Sequence, residues 1–387
     1  MNFNSERLKK ARIFRNMSIS ELAERIGVTR QAISQYEKNQ ITPKPEALFQ
    51  LISVLKFPLA FFTGSDDFST GSTENTFFRA LTSAKTLDLD TQRVKTELMF
   101  SVYKFLNSYL SFPKLALPDR DYSNESPENT AEHLRAYWNL GTNPITNMVS
   151  LLEKKGIIVS SLNTNTQEID AFTQIHIENG QKYFCIVLGN DKQSMVRRNF
   201  DAAHELGHIL RHKDYPDITE LDKDEFKVME NEANQFAAAF LLPRDAFYFD
   251  LIEPTKLDMY IELKKKWKVS IAAMIMRARQ IGRITPGQYQ NLMKQISFKK
   301  WRKSEPFDDI WQIARPQLFK QSINILIQNE ILSPSEIVSE FGKYGYYMNS
   351  EDIEELIDLE PGTLSEADST ENSSLVLTIK DYRKVTY

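Results

Sequence analysis

The chain has 387 residues, a single cysteine and a formal net charge of −4, with 41% hydrophobic and 26% charged residues. That length exceeds one ordinary domain and predicts two to four units of globular composition. Cys185 alone excludes an internal disulfide framework and a cysteine-rich zinc finger, and fits a reducing cytosol. Residues 1–12 are charged and lack the apolar core of a signal peptide, and no apolar run reaches the roughly 18 residues of a membrane span. A cytoplasmic protein without a membrane partner is therefore expected. Residues 1–62 hold ten Lys or Arg and five Asp or Glu, a basic cap on an acidic body. Such a cap is expected to meet a polyanion.

In chain order, apolar spacing predicts short helices over residues 5–15, 18–26, 29–38 and 44–55. Leu22 and Ile26 stand four apart in the second, Gly27 breaks it, and Thr29 is placed to cap the third. Leu48, Leu51, Ile52 and Leu55 give the fourth its apolar face. Residues 63–76, rich in Ser, Thr, Gly and Asp, read as a linker. Residues 77–155 read as mostly helical, interrupted by a polar, Pro-bearing loop at 113–127. Pro144 suits the first turn of a helix running to Lys155. The period then changes. Ile157, Ile158 and Val159 predict a buried strand within 156–161, and residues 169–178 and 181–188 flank Asn179-Gly180, a hairpin signal. Long helices follow over 193–211 and 221–242, the second stopped by Pro243. From 256 onward the pattern is helical, with Ser270 and Ser333 as caps. The tail from 365 is acidic and ends in a β-prone stretch at 375–379. The expectation is an α+β fold, predominantly helical. It comprises an N-terminal bundle at 1–65, a helical connector at 66–143, a domain with a small sheet at 144–300, and a helical C-terminal region at 301–387 of unassigned role.

His204-Glu205-Leu206-Gly207-His208 is an HExxH motif. Residues four apart share a helix face, so both imidazoles can reach one ion. Glu205, a fraction of a turn away, can instead take a proton from a water beside that ion. Catalytic zinc requires a third protein ligand. A metzincin-like site would need a histidine at position 214, which is Asp214. His212 lies eight residues from His204, about 12 Å along one helix, and reads as an outer support or a surface residue. The remaining candidates are acids of the next helix, Glu230 and Glu232, and spacing alone does not choose between them.

The stretch from Phe200 to His212, followed by Glu232-Ala233-Asn234-Gln235-Phe236-Ala237 and on to Pro243, resembles the ImmA/IrrE family of metallopeptidases over residues 144–243. The resemblance implies a zincin-like fold with zinc as cofactor, Glu232 as third ligand beside His204 and His208, and Glu205 as the general base of an endopeptidase. In thermolysin an Asp four residues after the ligand Glu orients a ligand histidine. Counted from Glu232 that position is Phe236, so the outer partner must come from elsewhere, and Asn234 is a candidate. Tyr215 and His212 are candidates for stabilising an oxyanion. Related zincins hold the substrate extended along an edge strand, for which residues 181–188 are the candidate.

In the N-terminal unit, Ala23, Gly27 and Ile33 carry a helix-turn-helix spacing: a small residue at the helix approach, a glycine at the turn, an apolar residue beneath the second helix. Leu22, Ile26 and Tyr36 fill the core. Residues 18–55 resemble the XRE-type, lambda-repressor-like domain, and the Glu37-Lys38-Asn39 turn and Pro43 fit the same pattern. The resemblance implies operator DNA as the partner of residues 1–65. Arg30, Gln31, Ser34 and Gln35 would meet base edges, and Thr29, Lys38 and Asn39 would meet phosphates. Ile19 stands where such helices often begin with a polar residue, which removes one phosphate anchor. A homodimer on paired half-sites follows from the resemblance alone. No phosphate-cradling glycine motif is present.

The combined reading is a DNA-binding transcriptional regulator with a zinc-dependent endopeptidase domain that cleaves a repressor or itself. Family members without a DNA-binding domain cleave XRE-type repressors, so a protein substrate of that kind is the expected partner. Two other readings fit the same motifs. One is a non-catalytic XRE-type transcription factor whose peptidase-like domain senses a ligand or partner. The other is an antitoxin or phage-defence component that binds its partner through residues 301–387.

Overall fold

The computed structural model describes residues 3–64, 72–80, 86–162, 169–190, 194–212 and 221–365. Five short helices open the chain: α1 (Ser5–Phe14), α2 (Ile19–Ile26), α3 (Arg30–Glu37), α4 (Pro45–Leu55) and α5 (Leu59–Thr63). Their ends are set locally. Ser18 and Glu21 close a capping box on α2, Gly27 ends that helix in the left-handed region, and Thr29 Oγ1 accepts from Ala32 N at 3.1 Å to start α3. Leu8, Leu22, Ala23, Ile33 and Leu51 form the interior, and Ile19 packs against it. A buried ion pair joins α1 to the end of α3, with Arg12 Nε 2.5 Å from Glu37 Oε1 and Nη2 3.0 Å from Oε2. Arg12 Nη1 also donates to Met17 O at 2.7 Å. Glu37 therefore serves the turn from inside, while its neighbours Lys38 and Asn39 stay on the surface.

The middle of the chain contains β1 (Ser72–Ala80), α6 (Thr86–Tyr109), α7 (Pro127–Tyr137), α8 (Met148–Lys154), β2 (Ile158–Leu162), β3 (Ile169–Glu178) and β4 (Gln181–Gly189). Residues 77–80, expected to be helical, instead belong to a strand. The Ser72–Ala80 stretch is rich in Thr and Phe, which favour pleated backbone, and it pairs with β3. Helix α8 begins later than Pro144 suggested, because Asn147 caps it by accepting from Ser150 N at 2.9 Å.

The sheet runs β1-β3-β4-β2, with β1 and β4 antiparallel to β3 and β2 parallel to β4. Asn179 and Gly180 take φ of 51° and 77°, as the two-residue hairpin requires. The expectation that residues 181–188 form an edge strand is overturned. Strand β4 lies between β3 and β2, with Ile158 opposite Cys185, and Ile186 and Val187 are fully buried. A continuous apolar run of this kind belongs to a strand covered on both faces.

The remaining helices are α9 (Met195–Arg211), α10 (Lys223–Leu241), α11 (Arg244–Asp250), α12 (Leu257–Trp267), α13 (Ile271–Gln280), α14 (Pro286–Phe298), α15 (Leu318–Gln328), α16 (Pro334–Lys343) and α17 (Ser350–Leu356). Ser270 and Ser333 cap α13 and α16 as the sequence implied. Helix α9 packs on β3 and β4, α10 packs on α9, and α7 packs on α10.

The apolar interior divides by sheet face. Val159 and Ile186 join Leu134, Leu206, Phe236 and Trp267 in one cluster with α7 to α14. Ile158 and Cys185, on the opposite face, join a second cluster of α6, α15 to α17 and the N-terminal bundle. Polar contacts tie that bundle down. Arg15 forks Asp352 of α17 with two 2.6 Å bonds and lies over Phe14 and Phe57, and Thr91 Oγ1 donates to Ile13 O at 2.9 Å. Tyr215 and the 375–379 stretch lie outside the described residues. No described helix is long and apolar enough to cross a membrane.

Candidate metal centre

Helix α9 places His204, Glu205 and His208 in the interior, with no more than 1% of any of them exposed. The two histidine Nε2 atoms face each other at 3.0 Å. Glu205 turns instead toward β3, where Thr173 Oγ1 donates to its Oε2 at 2.7 Å. Helix α10 comes close enough to contribute because position 207 has no side chain. A Cβ on Gly207 would stand 3.0 Å from Phe236 Cδ1 and 3.2 Å from Ala233 Cα.

The acid that lies against both rings is Glu230, whereas Glu232, the acid the resemblance implied, lies further along α9. Glu230 Oε1 is 3.2 Å from His208 Nε2, and Oε2 is 3.4 Å from His204 Nε2. Residues two apart on a helix point about 200° apart, so the two acids do not both lie against the His204–His208 pair. Glu230 shares its stripe with Ala233, three residues on, the residue that packs against Gly207. Glu232 turns to the end of α9, where it accepts from Arg211 Nη2 at 2.9 Å and lies 3.1 Å from His212 Nε2.

Each ring also has a polar neighbour behind it. Four residues after Glu230 is Asn234, whose Oδ1 lies 3.1 Å from His204 Nδ1. His208 Nδ1 lies 3.1 Å from His212 Nδ1. Burial, with His208 beside it, pushes His212 down to about 4, which keeps it neutral at physiological pH. One proton arrangement satisfies the whole row. With a metal ion bound, His208 would donate from Nδ1 to His212 and His212 from Nε2 to Glu232, leaving the His208 Nε2 lone pair directed inward. Burial alone would raise the Glu230 carboxyl, but His204 and His208 outweigh it and hold it well below the usual carboxylate range. Burial likewise opposes ionisation of Glu232, and Arg211 and His212 overcome it.

His204, His208 and Glu230 offer donor atoms that all lie within 4.8 Å of one another, the one such group of three found among the described residues. Glu230 Oε1 is buried without a hydrogen bond. Two imidazole nitrogens and one carboxylate around a common point, each ring held from behind, fit a single divalent ion with a position to spare. Thr173 and Arg211 are participants that sequence reasoning missed. Thr173 occupies an inward position of β3 between buried Ala171 and Ile175, and a hydroxyl at such a position was the available signal. Buried Arg211 also donates from Nη1 to Tyr122 O, Glu125 O and Thr130 Oγ1, at 3.1, 2.7 and 2.9 Å, anchoring the end of α9 to the segment leading into α7.

In the N-terminal unit, Thr29, Arg30, Gln31, Lys38 and Asn39 are exposed on α3 and its ends, and Ser34 and Gln35 are half-buried on the same helix. Thr29 spends its acceptor on the cap and retains a hydroxyl proton to donate.

Comparison with known families places a helix-turn-helix domain at residues 8–62 and an IrrE N-terminal-like domain, a peptidase family, at residues 152–279. No curated protein matches the chain. Residues 8–62 are thus an XRE-type helix-turn-helix and residues 152–279 an ImmA/IrrE-like peptidase domain, a pairing that supports a DNA-binding regulator with a peptidase domain.

Proposed function

We infer, from a DNA-binding regulator that carries a peptidase domain, that His204, His208 and Glu230 hold zinc and that Glu205 serves as general base for peptide-bond hydrolysis. The observation that carries this reading is the three-donor cluster with Glu205 beside it, braced by Thr173. Zinc bound there would polarise the scissile carbonyl and lower the pKa of a water toward about 7. The chain's own residues do the rest. Glu205 accepts the proton of the attacking water and returns it to the leaving amine nitrogen. Thr173 holds Oε2 of that carboxylate in place. Asn234 and the His212–Glu232 pair hold both rings with Nε2 inward. His212, whose nitrogens face His208 and Glu232, serves ring orientation rather than an oxyanion.

The substrate is a protein, a repressor or the chain itself. Arg30, Gln31, Ser34 and Gln35 read base edges of an operator in the major groove, while Thr29, Lys38 and Asn39 contact phosphates. The cytoplasm is the compartment that this pairing of DNA with peptidase implies.

The test is Glu205→Gln. It should retain stoichiometric zinc by elemental analysis and unchanged DNA binding, yet lose hydrolysis by on the order of 10²–10⁴-fold. Proteolysis at the wild-type rate in that variant would end the assignment.

A further inference from the structure

Strand β1 comes from the connection between the DNA-binding bundle and the rest of the chain, and it occupies the outer edge of β3. Its register sets Thr76 opposite Gln174, Phe77 opposite Thr173 and Phe78 opposite Phe172. Thr173 is the residue whose hydroxyl holds Glu205. The backbone around Phe77 therefore runs, extended and antiparallel, beside the β3 residue that holds the general base. An extended peptide added to a sheet edge is bound through main-chain pairing, whatever its side chains. The pairing is irregular on both sides of this point, between Thr73 and Thr76 and between Phe78 and Ala80, so only a short paired stretch, Thr76–Phe78, holds the segment beside Thr173.

We propose that Ser72–Ala80 is the peptidase's substrate in cis: the chain cuts its own linker near Phe77 and so breaks the covalent connection between the DNA-binding bundle and the peptidase domain. This rests on the function proposed above. In the step, the oxygen of a water adds to a carbonyl carbon of the linker, the C–N bond breaks, and the water's proton passes through Glu205 to the new amine. The products are one carboxyl terminus and one amino terminus. The linker is tethered at the site, so its effective concentration exceeds that of a free peptide.

The test uses the full chain, stripped by a chelator and then given zinc. Denaturing intact-mass spectrometry should show two fragments whose masses sum to the chain plus one water, with the new ends inside 72–80. The rate constant should be unchanged by tenfold dilution and abolished by Glu205→Gln. A second readout needs no turnover. In metal-free Glu205→Gln, a labelled peptide of residues 70–84 should bind a form whose 72–80 segment is replaced by Gly and Ser about tenfold or more tighter than the form with its own linker. A zinc-loaded chain that hydrolyses casein while its linker stays intact, or equal peptide binding by both forms, would overturn the proposal and leave the peptidase reading standing. Hydrolysis of neither casein nor linker would remove both.

Discussion

Replacing Gly207 with Ala tests whether close approach of α9 and α10 is what delivers Glu230. The added Cβ would meet Phe236 Cδ1 at 3.0 Å and Ala233 Cα at 3.2 Å. Neither neighbour yields easily. Phe236 is fully buried and stacks on Phe240 with ring centroids 5.4 Å apart, and the second contact is backbone. Relief therefore requires the helices to separate by a few tenths of an ångström. Overpacking of this kind costs about 1–3 kcal/mol, and the gain in helix propensity returns about 1 kcal/mol. The metal-free protein should lose about 0–2 kcal/mol, a melting shift of a few degrees. Zinc affinity should suffer as well, because ligand distances tolerate only about 0.2 Å. A loss on the order of tenfold is expected, similar to removal of an outer partner. Thermal unfolding with and without zinc, together with chelator competition, separates the two effects. A variant that binds zinc as tightly as wild type would refute the argument that this glycine sets the ligand geometry.

Two further outcomes follow from the same geometry. Asn234→Ala removes the oxygen that lies 3.1 Å from His204 Nδ1 and should weaken zinc by about 10–100-fold with little change in the metal-free melting temperature; an unchanged affinity would show that Asn234 does not orient the ring. His176, buried on β3 and stacked on Phe100, is pushed down to about 4 by burial, with Lys104 adding to it. Between that value and the free-histidine value of about 6.5, the unfolded chain binds a proton that the folded chain does not. Its contribution to stability is complete above about pH 6.5 and is lost as pH falls toward 4. His176→Phe should flatten the denaturation midpoint against pH in that window by up to about 1.4 kcal/mol per pH unit, and a slope identical to wild type would contradict the assignment.

Local signals in the chain carried the helix-turn-helix and the hairpin, because caps, glycine turns and Asn-Gly pairs act within a few residues. Ser18, Gly27, Thr29 and Asn179-Gly180 each do what their chemistry implies. The HExxH pair was equally legible, since both rings sit on one helix. The acid that lies against both rings was not. It depends on which face of α10 meets α9, and that is settled by Gly207 against Ala233, a contact between residues 26 positions apart. Taking Glu232 also shifted the four-residue offset onto Phe236. Taking Glu230 moves it to Asn234, where the expected ring partner is found. The strand at Ser72–Ala80 was hidden for a related reason. A linker composition gives no hint of a partner strand that appears about 100 residues later. The placing of β4 inside the sheet was likewise decided by β2 and β1, which cover the edges that the hairpin alone would have left open.

The most direct measurement is zinc affinity, by competition with a calibrated chelator, for Glu230→Gln and Glu232→Gln side by side. Loss of a metal ligand in the first should abolish tight binding, whereas the second should retain it with at most the 10–100-fold weakening that comes from slackening His212 and His208. Retention by Glu230→Gln with loss by Glu232→Gln would contradict the ligand set on which the account stands.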